Sequence, residues 1–243
     1  MKFTVNTNNF INFLLTPVSK IAENLSLSFL ERDNKTWVKT FVNSSDNSII
    51  LFSELEIEKI DSLNNCVIPD CKTFLRLFSN IDEEKITLDI QNNVIKYKNA
   101  TGFSFKYFLL DESYLINKKS LSEEKINALT YDTTFVVSKQ KFSDIIKYNS
   151  IIPDAEKLYV YSDSGKIMAK IGDEQKTSTN EITTEFASSF NGKEISSSLP
   201  LDIKNLLMFS FAENEINISI NSQLKIFRFQ SGSLVYIVSG LVR

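Results

Sequence analysis

A chain of 243 residues, with 42% hydrophobic and 23% charged side chains, has room for two domains of ordinary size and a sizeable core. A net charge of −3 excludes a protein coated in positive charge, so any contact with nucleic acid must come from where the cations are placed. Histidine is absent, which excludes His-based triads and His-ligated metals, and two cysteines are too few for a disulfide framework or a four-ligand zinc site.

The apolar segments are short and interrupted by charge, so no membrane span is expected. Met1 to Leu15 carries one lysine and no small-residue cleavage site, so no signal peptide is expected either. The reading is a soluble, cytoplasmic protein whose Cys66 and Cys71 are reduced and buried.

In chain order, Lys2 to Val5 alternates as a strand with Phe3 and Val5 on one face. Asn6 or Thr7 then caps a helix to about Leu15 with Phe10, Phe13 and Leu14 as its stripe, and Pro17 breaks or kinks it, with room for a further turn to Ile21. Strands are predicted over Leu25 to Leu30, Trp37 to Val42 and Ser48 to Leu55, with a turn at Arg32-Asp33-Asn34-Lys35 and a short strand at Asn65 to Ile68. A second helix starts at Pro69, turning Cys71, Phe74, Leu75 and Phe78 inward and Lys72 and Arg76 outward. Strands follow over Lys85 to Ile90, Asn93 to Tyr97 and Gly102 to Leu110.

Leu110 to Tyr131 breaks this rhythm, being long, charged and mostly non-alternating, with a possible helical turn at Ser122 to Leu129. The same order then begins again: a strand at Thr134 to Val137 and a helix from Ser138 to about Asn149. Strands are expected over Lys157 to Ser162, Lys166 to Ile171, Ser178 to Ala187 and Glu194 to Ser198, and a closing helix over Leu201 to Met208. Phe3, Val5 and Phe10 match Phe135, Val137 and Phe142 at a separation of 132, and Leu25 and Leu27 match Leu158 and Val160 at 133. In the closing helix Asp70 and Lys72 match Asp202 and Lys204 at 132, while Pro69 and Phe78-Ser79 match Pro200 and Phe209-Ser210 at 131. A cassette this long, written twice, predicts one folding unit built twice. The expected domains are 1–112 and 132–243, joined by a linker over 113–131.

This order of elements, over the whole chain, resembles the DNA polymerase sliding clamps of the two-domain type found in T-even phages and in eukaryotic proliferating cell nuclear antigen. The nearest local likeness is the closing cassette, Leu201 to Leu241, with its hairpin EINISINSQLKIFRF and last strand SLVYIVSGL. The resemblance implies an α+β DNA clamp fold, two repeated domains each with two helices on antiparallel β-sheets. It further implies a homotrimeric ring with helices around a central hole, closed by pairing of Gly102 to Leu110 with Ser178 to Ala187 of the next copy. The implied function is a processivity factor that encircles double-stranded DNA, is opened by a clamp loader and tethers the DNA polymerase, either in a viral replication complex or at the nucleoid.

The cations expected to meet phosphates are Lys20, Lys72, Arg76, Lys139, Lys147 and Lys204, on helix faces away from the apolar stripes. Lys20, Arg76 and Lys147 fall at or next to basic positions of the eukaryotic clamp's inner face. A lysine on such a face is also an ordinary solvated charge, and Asp144 and Asp202 lie near the same faces. The family further implies a partner-peptide pocket beside the linker, walled here by Tyr114, Leu115 and Ile116 and by Ile237, Ser239, Gly240 and Leu241. Tyr114 to Ile116 reads equally as a staple holding the linker to its own sheet. No catalytic residues, metal or cofactor are expected: there is no phosphate-binding glycine motif, and the carboxylate runs sit in polar segments. Two other readings are a trimeric β-rich viral structural protein and a non-encircling processivity factor of clamp fold.

Overall fold

The computed structural model describes residues 1–58, 60, 65–111, 126, 128–173, 180–211 and 213–241. The chain divides into two compact units, Met1–Glu123 and Glu124–Arg243. Most of the expected linker, with Tyr114, Leu115 and Ile116, lies outside the described residues; of the turn expected over Ser122 to Leu129 only residues 126, 128 and 129 are described, with Leu129 N donating to Ile126 O at 3.2 Å.

The strands of the first unit are β1 (Lys2–Asn6), β2 (Leu25–Arg32), β3 (Lys35–Asn43), β4 (Ile49–Ile57), β5 (Cys66–Ile68), β6 (Lys85–Gln91), β7 (Val94–Lys98) and β8 (Ser104–Phe108). They form two antiparallel runs, β1-β6-β7-β8 and β4-β3-β2-β5. Alternation predicts them well: in β2, Leu25, Leu27 and Phe29 are buried while the serines between them are half-exposed. Asp33-Asn34 and Asn92-Asn93 take positive φ at all four residues, the conformation of a two-residue hairpin whose twist matches its strands.

The first helix, α1, runs continuously over residues 7–21 as α (Thr7–Phe10), π (Ile11–Leu15) and α again (Thr16–Ile21). Pro17 therefore does not end it. A proline cannot donate to the carbonyl four residues back, and its ring collides with that carbonyl. Just ahead of it the helix widens to bonds five residues long, with the Thr16 amide donating to Ile11 O. Phe13, expected in the stripe, is only half-buried, while Leu14, Leu15 and Val18 are fully enclosed. The next helix, α2 (Cys71–Phe78), starts two residues later than predicted, because Asp70 is its N-cap and accepts from the Thr73 amide at 2.9 Å and the Thr73 hydroxyl at 2.6 Å.

The second unit repeats this plan. Its strands are β9 (Thr133–Ser138), β10 (Lys157–Asp163), β11 (Lys166–Gly172), β12 (Ile182–Ala187), β13 (Asn191–Gly192), β14 (Leu199–Asp202), β15 (Glu215–Asn221), β16 (Ile226–Ser231) and β17 (Leu234–Ser239). The runs are β13-β9-β15-β16-β17 and β12-β11-β10-β14, the first unit's orders with β13 added at one edge. Its helices are α3 (Lys139–Ile151), capped by Ser138, and α4 (Ile203–Leu207), capped by Asp202. Both matching registers of the closing helix hold. The caps Asp70 and Asp202 are 132 apart, Phe78 and Phe209 are 131 apart, and the second helix has lost one residue between cap and ring.

Two expected boundaries move. Glu194 to Ser198 is not a strand: Ile195 N donates to the Ser162 hydroxyl at 2.9 Å while Ile195 O accepts from Ser162 N at 3.1 Å, and Lys193 O accepts from Thr133 Oγ1 at 2.6 Å, so isolated bonds, two of them from side chains, hold this segment where a ladder was expected. Strand β14 begins after it at Leu199, and its Pro200 is tolerated because β14 is the edge of its run within the unit. The strand expected from Ser178 begins at Ile182.

Each core is aromatic. In the first unit Phe3 packs on Phe29 (ring centroids 5.1 Å apart), Phe10 on Phe78 (5.2 Å), and Phe74 on Phe78 and Tyr107 (both 4.8 Å). In the second, Phe142 meets Phe211 (4.9 Å) and Phe209 stacks on Tyr236 (4.3 Å).

Asp70 is held below the ordinary carboxylate range, chiefly by the Thr73 hydroxyl and then by the Thr73 amide. A carboxylate with a lowered pKa contributes stability above its unfolded pKa and loses it as pH falls through the folded value. Asp70→Ala should thus cost about 1 kcal/mol at neutral pH. That difference should shrink as pH falls below about 4, measured by urea unfolding at pH 7 and pH 3. A second expectation concerns Gly192, where φ is +98° and an added Cβ would run into the carbonyl oxygen of Asp132. Gly102 has a similar φ of +93° but open space around it. Gly192→Ala should therefore lower stability by about 1–3 kcal/mol more than Gly102→Ala, the difference being the clash itself.

A candidate nucleic-acid interface

The stripe that buries α2 against its sheet leaves Lys72 and Arg76 exposed on the far side, one helical turn apart. They line a concavity of about 1010 Å³, together with Lys20 at the end of α1, the start of β2 and the turn between β3 and β4. Three of the six expected cations, from two helices, thus share one surface of the first unit. Neither Lys72 nor Arg76 makes an ion pair among the described residues. Lys20 is exposed, yet partial desolvation lowers its pKa from the ordinary lysine value.

Two carboxylates, Glu23 and Asp70, also line the concavity. Asp70 is committed to capping α2. Asp46, in the turn between β3 and β4, accepts from the Ser44 hydroxyl (2.5 Å), the Ser48 hydroxyl (2.8 Å) and the Ser48 amide (3.0 Å). Those bonds, the Ser44 hydroxyl first, lower its pKa. The turn brings Asn43, Ser44, Ser45 and Asn47 to the concavity, uncharged groups able to donate or accept. Sequence reasoning missed it. Its only signal was a polar run between two strands, and nothing local told which helices it would face.

The second unit treats its cations differently. Lys139 Nζ donates to the backbone oxygen of Phe211 at 2.6 Å. Lys147 pairs with Asp144 at 3.3 Å, an oxygen that also accepts from Gln140. Lys204 lies 3.7 Å from Glu156. Lys141 is half-buried, and its charge helps lower the pKa of Glu185, after the larger effect of Lys166.

Of the expected peptide wall, Ile237 is buried, Ser239 is exposed, and Gly240 and Leu241 are half-buried. Gly240 N donates to Lys225 O at 2.6 Å and Leu241 N to Pro200 O at 2.9 Å, wedging the segment between a hairpin turn and β14. A Cβ at Gly240 would lie 2.9 Å from Lys225 O and 3.1 Å from Pro200 O, so the wedge admits only glycine without a shift. Leu224, in the same hairpin turn, is an exposed apolar side chain that the sequence reading did not select.

Among the described residues no cluster of His, Cys, Asp or Glu could hold a metal ion, and no helix is long and apolar enough to cross a membrane. Cys66 and Cys71 are buried free thiols. Burial, with a smaller contribution from Asp70, pushes the Cys71 thiol up to about 12.

No protein-family model and no curated protein matches the sequence. Solved structures do resemble the fold. A. fulgidus PCNA, bound to the C-terminal region of FEN-1, is similar with a TM-score of 0.77 at 12% identity, covering 100% of this chain and 98% of that one. The DNA polymerase III subunit beta sliding clamp of Bartonella birtlesii gives 0.78 at 11% identity, and the Helicobacter pylori beta clamp 0.70 at 17%. This chain spans 65% of the length of each of these two bacterial clamps. Two units of one plan, each with a pair of helices on antiparallel sheets, give this chain the fold of the DNA polymerase sliding clamps.

Proposed function

We propose that this protein is a sliding clamp, three copies of which close a ring around duplex DNA and hold the DNA polymerase on its template. The observation that carries the reading is the concavity on the helices of the first unit, where Lys20, Lys72 and Arg76 stand together. A ring that slides needs cations that meet phosphates without reading bases. Tethering then turns polymerase rebinding into an intramolecular event, and no bond need be broken by the clamp itself.

The likeness to A. fulgidus PCNA, which covers 98% of that chain, supports the reading of three copies. The unit edges support closure by strand pairing. Strand β8 ends its run with Phe108 71% exposed and Lys106 beside it, and β12 ends another with Glu185 on it and Glu181 just before it. An unpaired edge carrying an exposed aromatic ring favours pairing with a second chain. Partner proteins, the polymerase and a loader among them, would dock a short peptide on the segment Ile237 to Leu241 and on Tyr114 to Ile116. The FEN-1 segment on A. fulgidus PCNA supports that reading.

Light scattering over a concentration series should give a mass about three times the 27.8 kDa chain. The loaded protein should stay on circular duplex and be lost from linear duplex. Phe108→Asp should lower the mass toward one chain while circular dichroism stays that of the folded chain, since the ring is exposed in the single chain. A strict monomer at high concentration would sink the closed ring and leave a clamp-fold factor that does not encircle DNA.

A further inference from the structure

In the first unit the edge strand β8 and the helix α2 are joined at one residue. Tyr107, on β8, donates its hydroxyl proton to Asp70 O at 2.8 Å and accepts from Asp70 N at 3.1 Å. Its ring is buried and packs on Phe74 of α2, with centroids 4.8 Å apart. Asp70 is the cap of α2: its carboxylate holds Thr73, and its carbonyl also accepts from Phe74 N at 3.0 Å. Just past β8, Leu110 N donates to Val67 O at 2.9 Å, on the strand that leads into the same cap. The second unit ties its closing helix at the other end. Tyr236 OH donates to Ser210 O at 3.0 Å and accepts from Ser210 N at 2.9 Å, beyond the end of α4. The start of α4 is held by its cap Asp202 and by Ile203 N, which donates to Glu156 O at 3.0 Å.

We propose that Tyr107 is a positioning residue that makes pairing at β8 and order at the start of α2 a single event. This rests on the reading that a second copy pairs with β8. An edge strand is bonded on one side only, and it opens locally at less cost than the core. When β8 lifts from β7, the Tyr107 hydroxyl leaves with it, and Asp70 loses a donor and an acceptor together. The first turn of α2, a helix of eight residues that depends on its cap, then opens as well. A strand from a second copy bonds the outer side of β8 and makes that opening rarer. The gain passes to the turn that carries Lys72, with no contact from the second copy required there. The linkage is reciprocal, so whatever steadies the start of α2 favours pairing at β8.

The test is amide hydrogen exchange of the full chain at low and high protein concentration. Raising the concentration should slow exchange in β8 and, by a similar factor, at the amides of Cys71, Thr73 and Phe74. Their acceptors are Glu23 O, Asp70 Oδ1 and Asp70 O, none of which a change at Tyr107 removes. The amides of Ile203 and Lys204, at the start of α4, should not respond. In Tyr107→Phe, which keeps the ring against Phe74, β8 should still gain protection with concentration. The α2 amides should exchange about tenfold faster there and lose their dependence on concentration. Phe108→Asp, which blocks pairing and leaves Tyr107 in place, should hold the α2 amides at their dilute rate at every concentration. With the α4 comparison, that variant decides whether β8 and α2 open together even if Tyr107→Phe does not fold. The coupling is overturned, and the clamp reading left standing, by α2 amides that keep their concentration dependence in Tyr107→Phe or show one in Phe108→Asp. Slowing of the α4 amides by the same factor overturns it too, since assembly would then be raising the stability of the whole fold. If β8 itself gains no protection at any concentration, pairing at that edge fails and this inference with it.

Discussion

Both units hang on the same contact, a ring from one helix set against a ring at the end of the other, over a sheet. In the first it is Phe10 against Phe78, in the second Phe142 against Phe209 at 6.3 Å. Short helices such as these are marginal alone and gain their stability from the face they bury. Once the aromatic face is fixed on the sheet, the opposite face is fixed as well, and what it carries is free to serve something other than folding. Lys72 and Arg76 point outward because Cys71, Phe74 and Phe78 point in, all at 0% exposure.

The repeated caps follow from the same economy. A helix of eight or five residues has few internal bonds, so its four free amides are a large share of its backbone groups. Asp70 and Asp202 answer that need at equivalent positions, and Asn6 and Ser138 do so for the two longer helices. Near the first unit's groove this has an electrostatic by-product. The Asp70 and Asp46 carboxylates are held ionised by hydroxyls and amides, and the charge of Arg76 adds a little to that effect at Asp70.

Strand alternation, paired asparagines in turns and the separation of 132 residues between the two cassettes were all legible in the chain, because each depends on neighbours in sequence. The helix stripes were legible for the same reason. What escaped was decided at a distance. The strand expected over Glu194 to Ser198 lost to bonds from Ser162 and Thr133, residues more than thirty positions away. Lys139, Lys147 and Lys204 read like Lys72 and Arg76 in one dimension. Only folding reveals that Phe211 and Glu156 lie beside two of them, although Asp144, three residues from Lys147, was visible from the start. The groove itself could not be read, since one wall is a turn whose sequence says only that it is polar. The peptide wall was half legible: the wedge at Gly240 depends on the oxygens of Lys225 and Pro200, which no local pattern brings together.

The widened turn in α1 bears on descent. A turn closed by bonds five residues long holds one residue more than a regular turn, so it amounts to an insertion that the helix has absorbed without changing what lies beyond it. Deleting one residue within Ile11–Leu15 would tighten the turn and leave Lys20 facing the same groove, were it not for Pro17. With ordinary winding restored, the proline ring would meet the carbonyl four positions before it. The proline therefore depends on the extra residue, and a chain that lost that residue while keeping Pro17 would strain its first helix beside the cation that helix presents.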